Sequence, residues 1–144
     1  MADGIADAPP TIAELAFFAG GRYPKPDSIG RCGPNGTTVV GGRELVERVR
    51  DLGLGLAALG MRRGDRVALI SESRPEWLIA DLAILASGAV TTPVYPTLSG
   101  EQTGLILADC EAAIAVVSNA VQLAKLVVLG RPDELKRLAS EASA

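Results

Sequence analysis

Apolar side chains recur along the chain with two different spacings, and the change of spacing separates helices from strands. Between residues 43 and 59 they return every three or four positions, which predicts an amphipathic helix. Gly60 follows this segment as a natural C-cap. Short continuous apolar runs instead predict strands, at 66–71, 89–95 and 112–118.

The helix predicted over 74–86 is apolar on nearly every side, which indicates burial against a sheet and a further layer. Trp77 is expected to be a buried packing anchor of this helix. Ser73, Pro75 and Glu76 fit a capping box with proline in the first turn, and Gly88 ends the helix. Further helices are predicted at 12–19, 101–109, 119–126 running into 127–129, and 132–142.

Two other helix starts carry the capping-box pattern, Thr11 with Glu14 and Ser99 with Gln102. Consecutive glycines at 20–21 are expected to end the first helix.

The segment 25–42 is rich in glycine and proline. Its Asn-Gly pair at 35–36 favours a type I′ turn, and 37–40 could form a strand, although the partner segment 29–32 is poor.

Strands and helices alternate from residue 66 to residue 118 with short connections, in the order β-α-β-α-β. Such units form parallel sheets with right-handed crossovers. The predicted fold class is therefore α/β, a partial three-layer parallel-sheet subdomain. An N-terminal helix, the Gly/Pro-rich segment and the amphipathic helix precede it. Residues 1–10 are predicted to be a loose tail, and 11–144 to form the domain.

Composition removes several classes of function. The 144-residue chain has 14 Lys and Arg against 17 Asp and Glu, a net charge of −3 with no basic run, which argues against nucleic-acid binding. Its lack of histidine excludes Ser-His-Asp and Cys-His catalysis. Cys32 and Cys110 are interpreted as reduced thiols, with a disulfide left open by spacing alone. Neither a secretory signal nor a transmembrane segment is visible, so a cytoplasmic location is expected.

Candidate chemistry along the chain has simpler structural interpretations. No G-x-x-x-x-G-K-[ST] motif occurs, and the alternating hydroxyls and glycines of 99–104 fit a helix start. Glu72 and Glu76 are interpreted as helix-start charges, and Glu44 and Glu47 as a solvated face. The sequence therefore assigns no catalytic, cofactor-binding or metal-binding residue.

An ordered series of motifs resembles the start of AMP-forming acyl-CoA synthetases. The match covers about residues 11–24 and 43–126, and PEW at 75–77 and YPTLS at 95–99 look most like the long-chain fatty acid branch. Residues 25–42 depart from the family pattern, with Gly41-Gly42 before the Arg-Glu-Leu run. The motifs are RELVERVR at 43–50, GLAALG at 55–60, GDRV at 64–67, SESRPEW at 71–77, ADLAILA at 80–86, GAV at 88–90, PVYPTLS at 93–99, EQ at 101–102 and VSN at 117–119.

The resemblance implies the fold and chemistry of that family. Its members convert a fatty acid, ATP and CoA to acyl-CoA, AMP and diphosphate, assisted by Mg²⁺. Their phosphate loop and C-terminal domain have no counterpart in these motifs, so 11–144 is expected to be an incomplete N-terminal AMP-binding domain. No cofactor is assigned to this chain itself; ATP, Mg²⁺ and CoA are implied for the intact family.

Three interpretations stay open at this point. The chain is an inactive N-terminal fragment of a long-chain fatty acid–CoA ligase, a free-standing α/β module that binds an acyl chain or a protein, or a non-functional product. The first interpretation predicts that the chain associates with a complementary synthetase fragment or with itself. The apolar surface for this contact is expected on the 74–86 helix. Peripheral contact with a membrane is left open beside the cytoplasmic location.

Overall fold

The computed structural model describes residues 9–128 and 138–140. The predicted tail at 1–10 lies outside this range except for its last two residues. A 3₁₀ turn at Ile12–Glu14 leads into the first helix. The helices are α1 Leu15–Arg22, α2 Gly42–Ala58, α3 Pro75–Ala86, α4 Gly100–Asp109 and α5 Ala120–Val128. The strands are β1 Ile29–Gly33, β2 Gly36–Val40, β3 Arg66–Ile70, β4 Val90–Val94, β5 Ile114–Val117 and β6 Leu138–Ser140.

The main sheet is parallel and has the order β4-β3-β5-β6. Strand β3 lies inside it, aligned with β4 from Arg66↔Val90 to Ile70↔Val94. On its other side Ile70 is opposite Val117. The predicted α/β class and the β-α-β-α-β order of the middle of the chain are confirmed.

Alternating side chains of the sheet enter two separate cores. Val67 and Leu69 of β3 pack with Ala80 and Ile84 of α3 on one face. Ala68 and Ile70 face the opposite side, where the core includes residues of α4 and α5. Because both faces of β3 are covered by helices, the three-layer arrangement expected from the apolar strand runs is present.

Helix α3 lies between the sheet and the N-terminal elements, which explains its apolar residues on all sides. Ala80 and Ile84 face the sheet, while Ile79 and Leu82 belong to a third core with α1, β2 and α2. The prediction that α3 provides an exposed apolar surface is wrong, since these residues are buried. Trp77 is only partly buried against the first core, so full burial was also a wrong prediction.

An antiparallel hairpin occupies part of the Gly/Pro-rich segment, formed by β1 and β2 in register from Ile29↔Val40 to Gly33↔Gly36. The chain reverses at Pro34 and Asn35, of which neither has a positive φ; Gly36 has φ 115°. A type I′ turn needs positive φ at both central residues, so that predicted turn type is wrong although a turn forms there.

Helix α1 continues through the glycines that were expected to end it and stops only at Arg22. Gly20 is buried, and a Cβ at this position would lie 2.8 Å from the carbonyl oxygen of Gly42 in α2. The glycine therefore permits close contact between two helices, and this packing outweighs its low helix propensity.

Only one of the three predicted capping boxes forms. Ser99 Oγ accepts from the amide of Gln102, whose side chain accepts from the Ser99 amide in return. Thr11 makes no side-chain cap bond to the backbone. The third prediction is wrong because Arg74, rather than Ser73, is the N-cap residue of α3.

The helix predicted over 132–142 lies largely outside the described residues, and its described part contradicts it. Leu138–Ser140 is a strand, β6, that pairs with β5 from Ala115↔Leu138 to Val117↔Ser140. Pairing with the available edge of β5 satisfies backbone groups along that strand, which a local helical pattern does not reveal.

Strand β3 supplies a direct test of the core. Leu69 is 1% exposed, and Leu69→Ala is expected to lower the free energy of unfolding by about 2–5 kcal/mol. The matched control is Leu105→Ala, where the leucine is 67% exposed and the change should stay within about 0.5 kcal/mol. Urea unfolding followed by circular dichroism measures both; equal losses would contradict the assigned burial.

The capping difference between two serines is also testable. Ser99→Ala removes the acceptor for the Gln102 amide and is expected to cost about 1 kcal/mol of unfolding free energy. Ser73→Ala is the control, because Ser73 is exposed and does not cap α3. Thermal unfolding of both variants checks this; a larger effect at Ser73 would overturn the cap assignment.

Candidate functional site

The carboxyl edge of the sheet brings three loops together. The chain leaves β3 toward α3 on one face, whereas it leaves the adjacent strand β5 toward α5 on the other face. Crevices at such reversals are the usual ligand sites of open parallel sheets. The residues there are Ser71 and Glu72 after β3, Tyr95 and Pro96 after β4, and Ser118 and Asn119 after β5.

Glu72 joins the loops that follow β3 and β5. Its carboxylate accepts hydrogen bonds from Ser118 Oγ at 2.6 Å and Asn119 Nδ2 at 3.2 Å. A third donor, Gln122 Nε2 of α5, lies 3.4 Å away. These partners are 46 to 50 positions distant in sequence. The carboxylate thus holds the start of α5 against the end of β3.

The hydrogen bonds lower the pKa of Glu72 below its ordinary value. The bond from Ser118 is the largest cause, and burial opposes it. The pKa of Glu76 is also lowered, chiefly by the hydrogen bond that Arg74 Nε donates at 2.7 Å. Glu72 is therefore an anion at neutral pH, and its three hydrogen-bonding partners are uncharged side chains.

Helix α5 connects this network to the loop after β4. Asn119 Oδ1 accepts from the amides of Val121 and Gln122, 3.0 Å each, as an N-cap residue does. Gln122 Nε2 also lies 3.3 Å from the carbonyl oxygen of Pro96, which accepts a further bond from Lys125 Nζ. Gln122 is buried and contacts both Glu72 and the carbonyl oxygen of Pro96. It therefore joins the loops after β3 and β4 to the start of α5.

A cleft of about 530 Å³ opens beside this region. Its polar side includes Glu72, and its apolar side includes Trp77 and Tyr95. The volume is within the range of small-molecule sites. The lining residues are Ser71, Glu72, Ser73, Trp77, Pro93, Val94, Tyr95, Pro96 and Thr97.

The described residues of this edge do not fit the phosphates of ATP. Phosphate sites present cations and unpaired backbone amides, whereas this crevice presents the carboxylate of Glu72. The ammonium group of Lys125 instead donates a hydrogen bond to the carbonyl oxygen of Pro96. Within the described ranges, no group of three or more Cys, Asp or Glu residues could hold a metal ion.

The four glutamates weighed as candidate acid or base groups have different roles in the structure. They are Glu44, Glu47, Glu72 and Glu76. Glu44 pairs with Arg48 at 2.6 Å on an exposed helix face, as predicted, and Glu47 is exposed on the same helix. Glu76 lies in the first turn of α3, as predicted. Glu72 is not a helix-start charge, because its partners belong to another loop. Polar residues directly after two buried strands were the signal that could have found this cluster.

A sequence profile described as AMP-binding enzyme matches residues 26–143. The chain belongs to the AMP-binding enzyme family. The anthranilate–CoA ligase AuaEII, solved in complex with anthranoyl-AMP, shares the fold with a TM-score of 0.76 at 20% identity. That likeness covers 94% of this AMP-binding chain and 26% of the ligase.

Relatives in sequence include long-chain-fatty-acid–CoA ligase FadD15 of Mycobacterium tuberculosis, 45% identical over 86 residues. The alignment covers 58% of this chain and 14% of FadD15. The uncharacterized protein Rv1549 of the same organism is 32% identical over 91 residues, covering 63% of this chain and 52% of that protein. This chain thus matches the N-terminal portion of AMP-binding ligases, and a small part of their length.

Cys32 and Cys110 are free thiols, the first exposed and the second partly buried. No helix in the described part of this AMP-binding chain is long and apolar enough to cross a membrane.

The depressed pKa of Glu72 predicts a pH-dependent contribution to stability. The unfolded carboxyl has a pKa of about 4.3, so the stabilisation is complete above that pH and is lost as pH falls through the lower folded value. Glu72→Gln should therefore be less stable than the parent at neutral pH, and the difference should shrink below about pH 4. Urea unfolding followed by Trp77 fluorescence measures this difference.

Glu47→Gln is the matched control for the loss of one carboxylate, since Glu47 is exposed on α2. Its free energy of unfolding at pH 7 should stay within about 0.5 kcal/mol of the parent's. A Glu72→Gln difference that is equal at pH 7 and in acid would contradict the proposed role of the carboxylate.

Proposed function

We propose that this chain is the N-terminal scaffold of a long-chain fatty acid–CoA ligase and is catalytically silent alone. The observation that carries the proposal is the polar edge of the sheet, where the described side chains bond one another and present an anion. In the assembled ligase, the reaction is conversion of fatty acid, ATP and CoA to acyl-CoA, AMP and diphosphate. ATP, Mg²⁺ and CoA would then be held by residues in another part of the assembled ligase.

The similarity to the long-chain-fatty-acid–CoA ligase FadD15, at 45% identity over 86 residues, supports the substrate class. The aligned part is 14% of FadD15, so substrates and activity are extended to this chain as a proposal. Residues 11–144 form, in this proposal, an incomplete N-terminal AMP-binding domain preceded by a loose tail. Its partner is a complementary synthetase fragment or a second copy, and its location is cytoplasmic, with peripheral membrane contact left as an alternative.

A free-standing binding module is the second candidate. The cleft beside Trp77 and Tyr95 has a partly apolar lining that an acyl chain could contact. Rv1549 supports this alternative in one respect, since the 91 aligned residues are 52% of that protein and it is therefore short itself. Saturable quenching or enhancement of Trp77 fluorescence by palmitate would favour the module over the scaffold.

Catalytic silence is the direct test of the proposal. Adenylate formation depends on cations and metal placed around the phosphates, and the sequence contains Lys25, Lys125 and Lys136 without a glycine-rich phosphate loop beside them. The purified chain with ATP, Mg²⁺, palmitate and CoA should release no pyrophosphate above the blank.

Purified FadD15 under the same conditions serves as the positive control for the assay. Palmitate-dependent pyrophosphate release by the chain itself, retained through a second purification step, would show that it is an enzyme on its own. That outcome would replace the scaffold proposal.

A further inference from the structure

The cleft at the carboxyl edge combines an aromatic wall with one charged group. Trp77 packs partly on the first core and also lines the cleft, so its ring is held in place by the protein interior. Tyr95, on the opposite loop, is 78% exposed. Pro93 and Pro96 are further lining residues with restricted backbones. The apolar part of the cleft therefore combines one aromatic ring anchored on the core, that of Trp77, with the exposed ring of Tyr95 and two proline rings.

Glu72 supplies the charge of this cleft. Ser118, Asn119 and Gln122 bind its two oxygens from the side of α5. Glu72 remains exposed and lines the cleft, so an ammonium donor in the cleft can reach its carboxylate. Because the three donors are uncharged, they fix the carboxylate in position without neutralising it. Its orientation is thus determined before any ligand arrives.

Two basic side chains near these loops have partners elsewhere. Arg74 donates to Glu76 and lines a separate groove together with Arg31 and Leu78. Lys125 donates to the carbonyl oxygen of Pro96. These contacts leave the carboxylate of Glu72 as the charged side chain that lines the cleft.

We infer that this cleft binds a small organic amine, with its ammonium group on Glu72 and its apolar stem against Trp77 and Tyr95. A fixed carboxylate forms a charge-assisted hydrogen bond with an ammonium donor. Aromatic faces attract the same cation and contact its alkyl chain. A fatty acid would place its own carboxylate beside Glu72, which opposes binding in that orientation. This inference goes beyond the scaffold role and does not depend on it.

Trp77 makes the inference measurable, since it is the single tryptophan of the chain. The full-length chain is titrated at pH 7 with hexylammonium, hexanol and hexanoate, three ligands with the same stem and different head groups. Hexylammonium should bind about three- to tenfold more tightly than hexanol, and hexanoate more weakly than either. Equal affinities, or tighter binding of hexanoate, would overturn the inference.

Glu72→Gln is the decisive variant. It should weaken hexylammonium binding by about fivefold while hexanol affinity stays unchanged. The control Glu47→Gln, on an exposed face of α2, should leave all three affinities as in the parent. A preference for hexylammonium that persists in folded Glu72→Gln would show that the carboxylate does not recognise the amine.

Salt dependence in the unaltered chain keeps the test valid should Glu72→Gln fail to fold. Raising the salt concentration should weaken hexylammonium binding and leave hexanol binding nearly unchanged, because only the ammonium contact is electrostatic. Equal salt responses of the two ligands would contradict the ion-pair contact.

Discussion

Burial of β3 on both faces is the constraint on which the rest of the structure depends. Its residues Val67–Ile70 are at most 1% exposed, and the strand is hydrogen-bonded to β4 on one side and β5 on the other. A strand enclosed in this way requires a helix layer on each face, because its alternating side chains leave the sheet in opposite directions. The positions of α3 on one face, and of α4 and α5 on the other, follow from that requirement.

The same constraint explains the N-terminal elements. Helix α3 covers β3 with one side, and its opposite side is apolar as well, at Ile79 and Leu82. Those residues are removed from water by α1, β2 and α2. Gly53 contributes to this packing, since a Cβ there would meet Ser87 Oγ at 2.8 Å. Gly20 and Gly53 thus permit close contact between helices.

The reversal of connections beside β3 also creates the candidate site. Because α3 and α5 start on opposite faces, the loops after β3 and β5 diverge, and Glu72 with Ser118 and Asn119 closes the space between them. These bonds stabilise the edge and fix the carboxylate that lines the cleft. The same arrangement supports the edge of the sheet through its polar contacts and leaves the Glu72 carboxylate exposed at the cleft, where the proposed amine would bind.

Local pattern alone was sufficient for the type and order of most elements between 43 and 128. Helical spacing and continuous apolar runs show which residues must be buried. That requirement does not depend on which element covers them. The end of α1, the strand at Leu138–Ser140 and the partial exposure of Trp77 were decided by tertiary packing. So was the role of Glu72, whose partners lie 46 to 50 positions away. Such contacts depend on which strands become neighbours in the sheet, and no local spacing of residues encodes that choice.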